Sequence, residues 1–112
     1  MTQAVALAQQ ASTGVSQGFK NRITNGAMVI DQRNAGASKT ITDTSNVTYT
    51  LDRWNAYGSA ASKFSVQQDA GAVTPPAGFN DYLGVTSLAA TSVGAGDYYF
   101  VSQYIEGFTT AD

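Results

Sequence analysis

The chain has 112 residues, of which 43% are apolar and 12% are charged, with a formal net charge of −2. A chain of this length fits one domain around a single core. The sequence has no cysteine and no histidine, which excludes disulfides, thiolate or imidazole metal sites and Ser-His or Cys-His catalysis, and its acidic balance favours neither nucleic acid nor a membrane as partner.

Residues 1–18 differ in composition from the remainder and are predicted to form an N-terminal arm, helical or extended. Residues 2–17 carry no charge, and Leu7, Ala11 and Val15 recur at the spacing of a short helix. An isolated helix of this length is marginal in water. The arm is therefore either a frayed tail or an attachment and oligomerisation segment. Its apolar run is too short for a membrane span and lacks the basic residues of a secretory signal.

Residues 19–112 are predicted to form one all-β domain, because short alternating segments are separated by turn residues and no helical period is sustained. Asn25-Gly26 is a strong turn dipeptide, since both residues tolerate positive φ. The predicted strands cover residues 27–32, 39–42, 47–57, 63–68, 82–88 and 98–106. Strands at this spacing, separated by such turns, are typical of a sandwich or jelly roll.

Alternation predicts which side chains face the core. In the segment 47–57 the core face is predicted to carry Val47, Tyr49 and Leu51, and in the segment 63–68 Phe64 and Val66 point the same way. Each of these strands is therefore expected to be half-buried, with a polar face toward solvent.

The last predicted strand has aromatic residues on both sides. Tyr99 and Val101 lie on one side, and Tyr98, Phe100 and Tyr104 lie on the other. Such a strand is either central between two layers or has an exposed aromatic face, and tyrosine is suited to both situations.

Three sequence elements lie at the turns and strand ends of this domain. Residues 21–33 follow the pattern N-x-x-x-N-G-x-x-x-x-x-Q-R, residues 49–54 read Y-T-L-D-R-W, and residues 103–107 read Q-Y-I-E-G. Together they resemble the jelly-roll domains of bacteriophage tail-fibre and other virion proteins. The resemblance covers residues 21–107, and it implies a two-sheet sandwich of about eight or nine strands, similar to carbohydrate-binding modules.

This chain departs from the domains that it resembles in two respects. Carbohydrate-binding modules of this shape often hold a structural calcium through an acidic residue shortly after the first Asn-Gly. At that place this sequence has Val29, which has no ligand atom, and Asp31, which is a weak calcium candidate. No other cofactor is expected. The family's domains continue with further strands after I-E-G, so an incomplete sandwich is expected here, completed by a partner copy or other virion proteins, unless the chain is a fragment.

Four residues are candidates for carbohydrate binding. Arg53 offers a planar fork of donors and Trp54 a flat apolar face for a sugar ring. The alternative is structural, with Trp54 in the core and with Asp52 and Arg53 pairing with or capping a neighbouring loop. Tyr98 and Tyr104 lie on one strand face, where they either form a carbohydrate platform or pack against a second sheet or a subunit.

The predicted role is structural and non-enzymatic. The eight carboxylates show no facing pair of the kind a glycosidase requires. The favoured function is a component of a bacteriophage virion appendage, located in the virion, that assembles with copies of itself and other virion proteins. The alternative is a carbohydrate-binding module that recognises host surface glycans.

Overall fold

The computed structural model describes residues 21–107, and within this range the chain is all-β, as predicted. The predicted arm of residues 1–18, with Leu7, Ala11 and Val15, lies outside the described residues. The six strands of the described range are β1 (Lys39–Thr40), β2 (Thr48–Tyr49), β3 (Trp54–Gly58), β4 (Phe64–Gln68), β5 (Leu83–Ser87) and β6 (Tyr99–Gln103).

The strands form two antiparallel sheets of three strands each. The first sheet has the order β1-β4-β5, and Val66 at its centre lies opposite both Lys39 and Val85. The second has the order β2-β3-β6, and Ala56 at its centre lies opposite both Thr48 and Val101. The outer strands β5 and β6 therefore each leave one edge without a partner strand within residues 21–107.

The two sheets share one small core. Its buried members are Ile41, Ala56, Phe64 and Val66, and Leu83, Tyr99 and Val101 pack against them. The Phe64 ring in the first sheet meets the Tyr99 ring in the second edge-on, with centroids 5.9 Å apart. This edge-to-face contact joins the sheets through an arrangement that aromatic pairs favour.

The predicted strand over residues 27–32 is wrong. The Asn25-Gly26 turn is present, with Asn25 at φ 54°, but Met28 also has a positive φ of 61°, which interrupts an extended strand. The segment's backbone groups pair mainly with side chains, beginning with Asn25 Oδ1, which accepts the Ile30 N–H at 3.0 Å. Side-chain hydrogen bonds of this kind compete with sheet ladders, and the apolar run over residues 27–30 does not reveal them.

The segment 47–57, predicted as one strand, is a hairpin. β2 and β3 pair antiparallel, and the turn between them is closed by Trp54 N–H donating to the Leu51 oxygen at 3.0 Å. Arg53 has a φ of 72°, the conformation that the third residue of a type II turn requires. Leu51 is buried as predicted. Tyr49, predicted on the core face, is instead exposed, and Thr50 is fully buried. The alternation expected of one continuous strand does not hold, because the segment turns back on itself after Leu51.

The other predicted strands are present with shorter bounds. They correspond to β1, β4, β5 and β6, and Phe64 and Val66 face the core as predicted. The last predicted strand, β6, has an exposed aromatic face and is not central between two layers. It is an edge strand, and Tyr98 and Phe100 are exposed.

Candidate functional site

The loop before β1 is held across both sheets by side-chain amides. Gln68 of β4 donates Nε2–H to the main-chain oxygens of Met28 and Val29, at 2.6 and 2.9 Å. Gln103 of β6 donates to the Thr24 oxygen at 2.6 Å and accepts the Thr24 N–H at 2.9 Å. The two glutamines therefore fix the loop to one end of each sheet.

Trp54 also helps to hold the loop before β1. Its indole Nε1–H donates to the main-chain oxygen of Asn25 at 3.0 Å, and its side chain is half-buried. Trp54 alternates with Asn55, so it lies on the same side of β3 as the core residue Ala56. Its ring is thus directed to the side of the sheet opposite Asn55.

Asp31 closes the following turn. Its Oδ1 accepts the Asn34 N–H at 3.0 Å and its Oδ2 accepts the Gly36 N–H at 2.9 Å. Both carboxylate oxygens are therefore engaged by backbone donors of one turn. Across residues 21–107 no three acidic side chains gather closely enough to hold a metal ion.

The second sheet has an outer face, directed away from the shared core. Because Ala56 and Val101 pack inward, their strand neighbours Asn55, Tyr57 and Ser102 point outward. Asn55 is fully buried even so, and Ser102 Oγ donates to its Oδ1 at 2.7 Å. This polar pair separates two aromatic groups that lie at opposite ends of the face.

The first group forms a small cleft, which we call the Arg53 cleft, bounded by Tyr49, Arg53, Tyr104 and Glu106. Arg53 and Glu106 form a salt bridge at 2.8 Å, with both side chains more than two-fifths exposed. The guanidinium of Arg33 lies over the Tyr49 ring, 5.2 Å from its centroid. The cleft thus places donors, acceptors and exposed rings around a volume of about 130 Å³.

The second group is a stack of three rings, Tyr57, Tyr98 and Phe100. Tyr57 lies 5.4 Å from Tyr98 and 5.5 Å from Phe100 by ring centroids, with interplanar angles of 20° and 21°. The Tyr57 hydroxyl donates to the Thr44 oxygen at 2.6 Å, and hydrogen bonding with the Tyr98 side chain raises the pKa of Tyr57. These rings contact one another.

An apolar groove of about 530 Å³ opens between the sheets, and we call it the inter-sheet groove. It runs from β5 to the edge of β6 and is bordered by the connection that joins them. Val85 and Val93 on its wall are 55% and 62% exposed, although both are apolar. Its lining residues are Lys63, Phe64, Val85, Ser87, Ala89, Ala90, Thr91, Val93, Tyr99, Phe100 and Val101.

The structure brings together only two of the four residues predicted for carbohydrate binding. Arg53 and Tyr104 line the same cleft, whereas Tyr98 lies at the other end of the face. Tyr98 is about 20 Å from Tyr104, because six residues of extended chain separate them. Trp54 lies on the opposite side of the sheet. Sequence reasoning missed Tyr49 and Glu106, because their proximity depends on the pairing of β2 and β6 with β3.

The protein-family models, the curated proteins and the solved structures that were compared with this chain contain no match. Among residues 21–107 there is no helix with the length and apolar character that a bilayer crossing requires.

Proposed function

We propose that this chain is a non-enzymatic structural component of a bacteriophage virion appendage, such as a tail fibre. In this proposal a jelly-roll-like sandwich assembles with copies of itself and with other virion proteins. The observation that carries the proposal is the inter-sheet groove, which leaves apolar side chains and two strand edges uncovered.

The groove favours association because its walls are apolar and its borders are strand edges. Exposed apolar patches bordered by polar surface are typical of interaction sites. An unpaired edge also offers backbone N–H and C=O groups to another strand, as in strand addition. A strand from a neighbouring copy that entered between β5 and β6 would pair with an edge and cover Val85 and Val93.

The sequence elements that resemble phage virion domains support the proposal in a second way. Asn25 of the first element receives the indole of Trp54 from the second, and Arg53 of the second pairs with Glu106 of the third. The three elements therefore contact one another in the folded chain, as parts of one structural module would. In the proposal, residues 1–18 supply the attachment segment.

A matched pair of substitutions tests the groove. Val93 in the groove and Val73 outside it are both 62% exposed, so Val93→Glu and Val73→Glu place the same charge at equally exposed positions. We expect the wild-type chain and Val73→Glu to form oligomers of one defined size in light scattering, and Val93→Glu to dissociate. Equal behaviour of the two variants, or a monomeric wild type, would contradict assembly through the groove.

A truncation tests the attachment segment. Deletion of residues 1–18 should leave a soluble β-rich body, seen by circular dichroism, that is no longer incorporated into particles. Normal incorporation of the truncated chain would contradict the attachment role.

A further inference from the structure

We propose that Asn25 is a self-modification site, at which the side-chain amide is lost to attack by the Gly26 main-chain nitrogen, and that the closed loop before β1 prevents this reaction. The inference goes beyond the assembly role and does not depend on it. Of the six asparagines in the sequence, Asn25 alone is followed by glycine. Glycine has no Cβ to obstruct its nitrogen and allows a wide range of backbone conformations, so this dipeptide is the most reactive of the six.

The reaction needs only water and hydroxide. Hydroxide removes the Gly26 N–H proton, and the nitrogen forms a bond to Cγ of Asn25. The bond from Cγ to Nδ2 then breaks, and Nδ2 leaves as ammonia after taking a proton from water. Water opens the resulting succinimide ring at either carbonyl, which gives aspartate or isoaspartate. The sum is asparagine plus water giving the acid plus ammonia, with no oxidation or reduction.

Three hydrogen bonds hold the Asn25 amide in its unreacted form. Nδ2 donates to the Ile30 oxygen at 2.8 Å and to the Asp52 oxygen at 3.0 Å, and Oδ1 accepts the Ile30 N–H at 3.0 Å. Both Nδ2 hydrogens are therefore used, as the planar amide allows. Attack makes Cγ tetrahedral and turns Nδ2 and Oδ1 out of that plane, so these bonds stabilise the reactant more than the intermediate.

The peptide group that carries the attacking nitrogen is held as well. Its oxygen, the main-chain oxygen of Asn25, accepts the Met28 N–H at 3.1 Å and the Trp54 indole N–H at 3.0 Å. Intramolecular attack requires the two reacting atoms to be close and aligned. Rotation of this peptide group toward Cγ would break both bonds, so the closed loop restricts both partners of the reaction.

Burial does not account for the protection. Gly26 is exposed and Asn25 is only half-buried, so water and hydroxide have access to the dipeptide. The hydrogen bonds are therefore the barrier, and opening of the loop removes it. Gln68 and Gln103 control that opening, because they bind the loop to the two sheets at Met28 and Thr24.

Reaction makes an opening of the loop permanent. The aspartate product has no Nδ2 donors and places a carboxylate near the oxygens of Ile30 and Asp52. The isoaspartate product also adds Cβ to the main chain, which lengthens the turn. Neither product can restore the closed contacts. The modified fraction therefore increases with the time that the loop has been open.

The first test compares the folded full chain with the same chain unfolded in urea, both in mildly alkaline buffer. Trypsin cleaves after Arg22 and Arg33 and releases residues 23–33, in which Asn25 is the only asparagine, so mass spectrometry of this peptide measures the modification. We expect the unfolded chain to react faster by about tenfold or more, because local opening must precede reaction in the folded chain. Gly26→Ala should slow the reaction in urea several-fold, which identifies the attacking residue.

The second test loosens the loop without changing the Asn25–Gly26 dipeptide. Gln68→Ala and Gln103→Ala should each accelerate the reaction of the folded chain several-fold and leave the rate in urea unchanged. Gln32→Ala is the matched control, because Gln32 is an exposed glutamine of the same loop, and it should react at the wild-type rate. Urea unfolding of each variant shows whether the acceleration exceeds any change in global stability, as local opening requires.

Two outcomes would overturn the inference. One is an equal rate at Asn25 in the folded and unfolded chains, since fast reaction in both would mean no protection and absence of reaction in both would mean no reactive site. The other is a rate in Gln68→Ala and Gln103→Ala that matches Gln32→Ala, which would separate the reaction from the loop contacts. If one glutamine variant does not fold, the other variant and the wild-type comparison still decide.

Discussion

Trp54 donates its indole N–H to the main-chain oxygen of Asn25, at 3.0 Å, and so joins the β2–β3 hairpin to the loop that precedes β1. The Asn25 side chain completes the connection, because its Nδ2 donates to the Asp52 oxygen at 3.0 Å and to the Ile30 oxygen at 2.8 Å. Asn25 therefore satisfies a backbone group of its own segment and one of the hairpin turn, 27 residues further along the chain. The loop depends on these contacts more than on any strand pairing of its own.

Replacement of Asn25 by aspartate should destabilise the fold. Asn25→Asp tolerates the left-handed backbone but loses both Nδ2 donors and places a carboxylate near two carbonyl oxygens. Loss of such partners costs about 1–3 kcal/mol. The measurement is the free energy of unfolding in urea. Asn80→Asp, at an exposed position, makes the same chemical change as a control, and equal unfolding midpoints for the two variants would contradict the role of Asn25.

Replacement of Gly58 by alanine should also destabilise the fold. A Cβ at Gly58, opposite Tyr99 in the second sheet, would lie 2.9 Å from the Tyr99 ring and 3.2 Å from the Phe64 ring. Those rings make the edge-on contact between the sheets, so Gly58→Ala should cost about 1–3 kcal/mol through overpacking. Gly96→Ala is the control, because its Cβ would meet nothing within 4 Å. Thermal melting of both variants checks this, and an unchanged melting temperature for Gly58→Ala would refute it.

The strands that can be predicted from the sequence are those in which apolar and polar residues alternate because one face packs against the core. Phe64 and Val66 alternate with polar residues because one face of β4 is buried, and the prediction for that segment was correct. The segment 27–32 begins with four consecutive apolar residues, which is consistent with a strand, but its backbone groups pair with Asn25, Asp52 and Gln68. Contacts between residues so distant in sequence are invisible to local periodicity.

The candidate cleft was predictable only in part for a similar reason. Arg53 and Tyr104 carry chemistry that the sequence displays, and it predicts both as site residues. The alternation places Tyr49 on the core face, because the local pattern does not reveal the hairpin turn at Arg53, and Glu106 belongs to a sequence element that predicts no site role for it. The pairing of β3 with β6 brings these residues together, and pairing between residues 41 to 49 positions apart is a property of the tertiary fold.

Removal of the Asp81 carboxylate should stabilise the protein at neutral pH. Hydrogen bonding to Asp69, with burial and the Asp69 charge, raises the pKa of Asp81. A raised pKa means that the folded state binds a proton more readily than the unfolded state, so this pair's contribution to stability decreases as the pH rises through that pKa. Asp81→Asn should therefore have a higher melting temperature than the wild type at pH 7, and the difference should shrink as the pH falls toward 3.8, the usual pKa of an aspartate.

Asp43 provides the opposite case and serves as the control for that titration. Backbone hydrogen bonds from Ser45 and Asn46 lower its pKa, so its contribution to stability is present above the usual aspartate pKa of 3.8 and is lost as the pH falls through the lowered pKa. Asp43→Asn should lower the melting temperature at pH 7. The two variants should shift in opposite directions at pH 7, and a shift in the same direction would contradict the assignment for one of the two carboxyl groups.

The buried Asn55 on the outer face of the second sheet makes a further prediction possible. Its Oδ1 accepts from Ser102, while its Nδ2 has no partner among the described residues. Ser102→Ala would leave a second polar group of Asn55 unsatisfied in a fully buried position, and should cost about 1–3 kcal/mol. The double variant Asn55→Val with Ser102→Ala removes both polar partners, and should recover much of that loss because no buried amide remains. A double-mutant cycle measured by urea unfolding checks this. If the losses in unfolding free energy from the two substitutions were additive, the Asn55–Ser102 hydrogen bond would not be the interaction that keeps this amide buried.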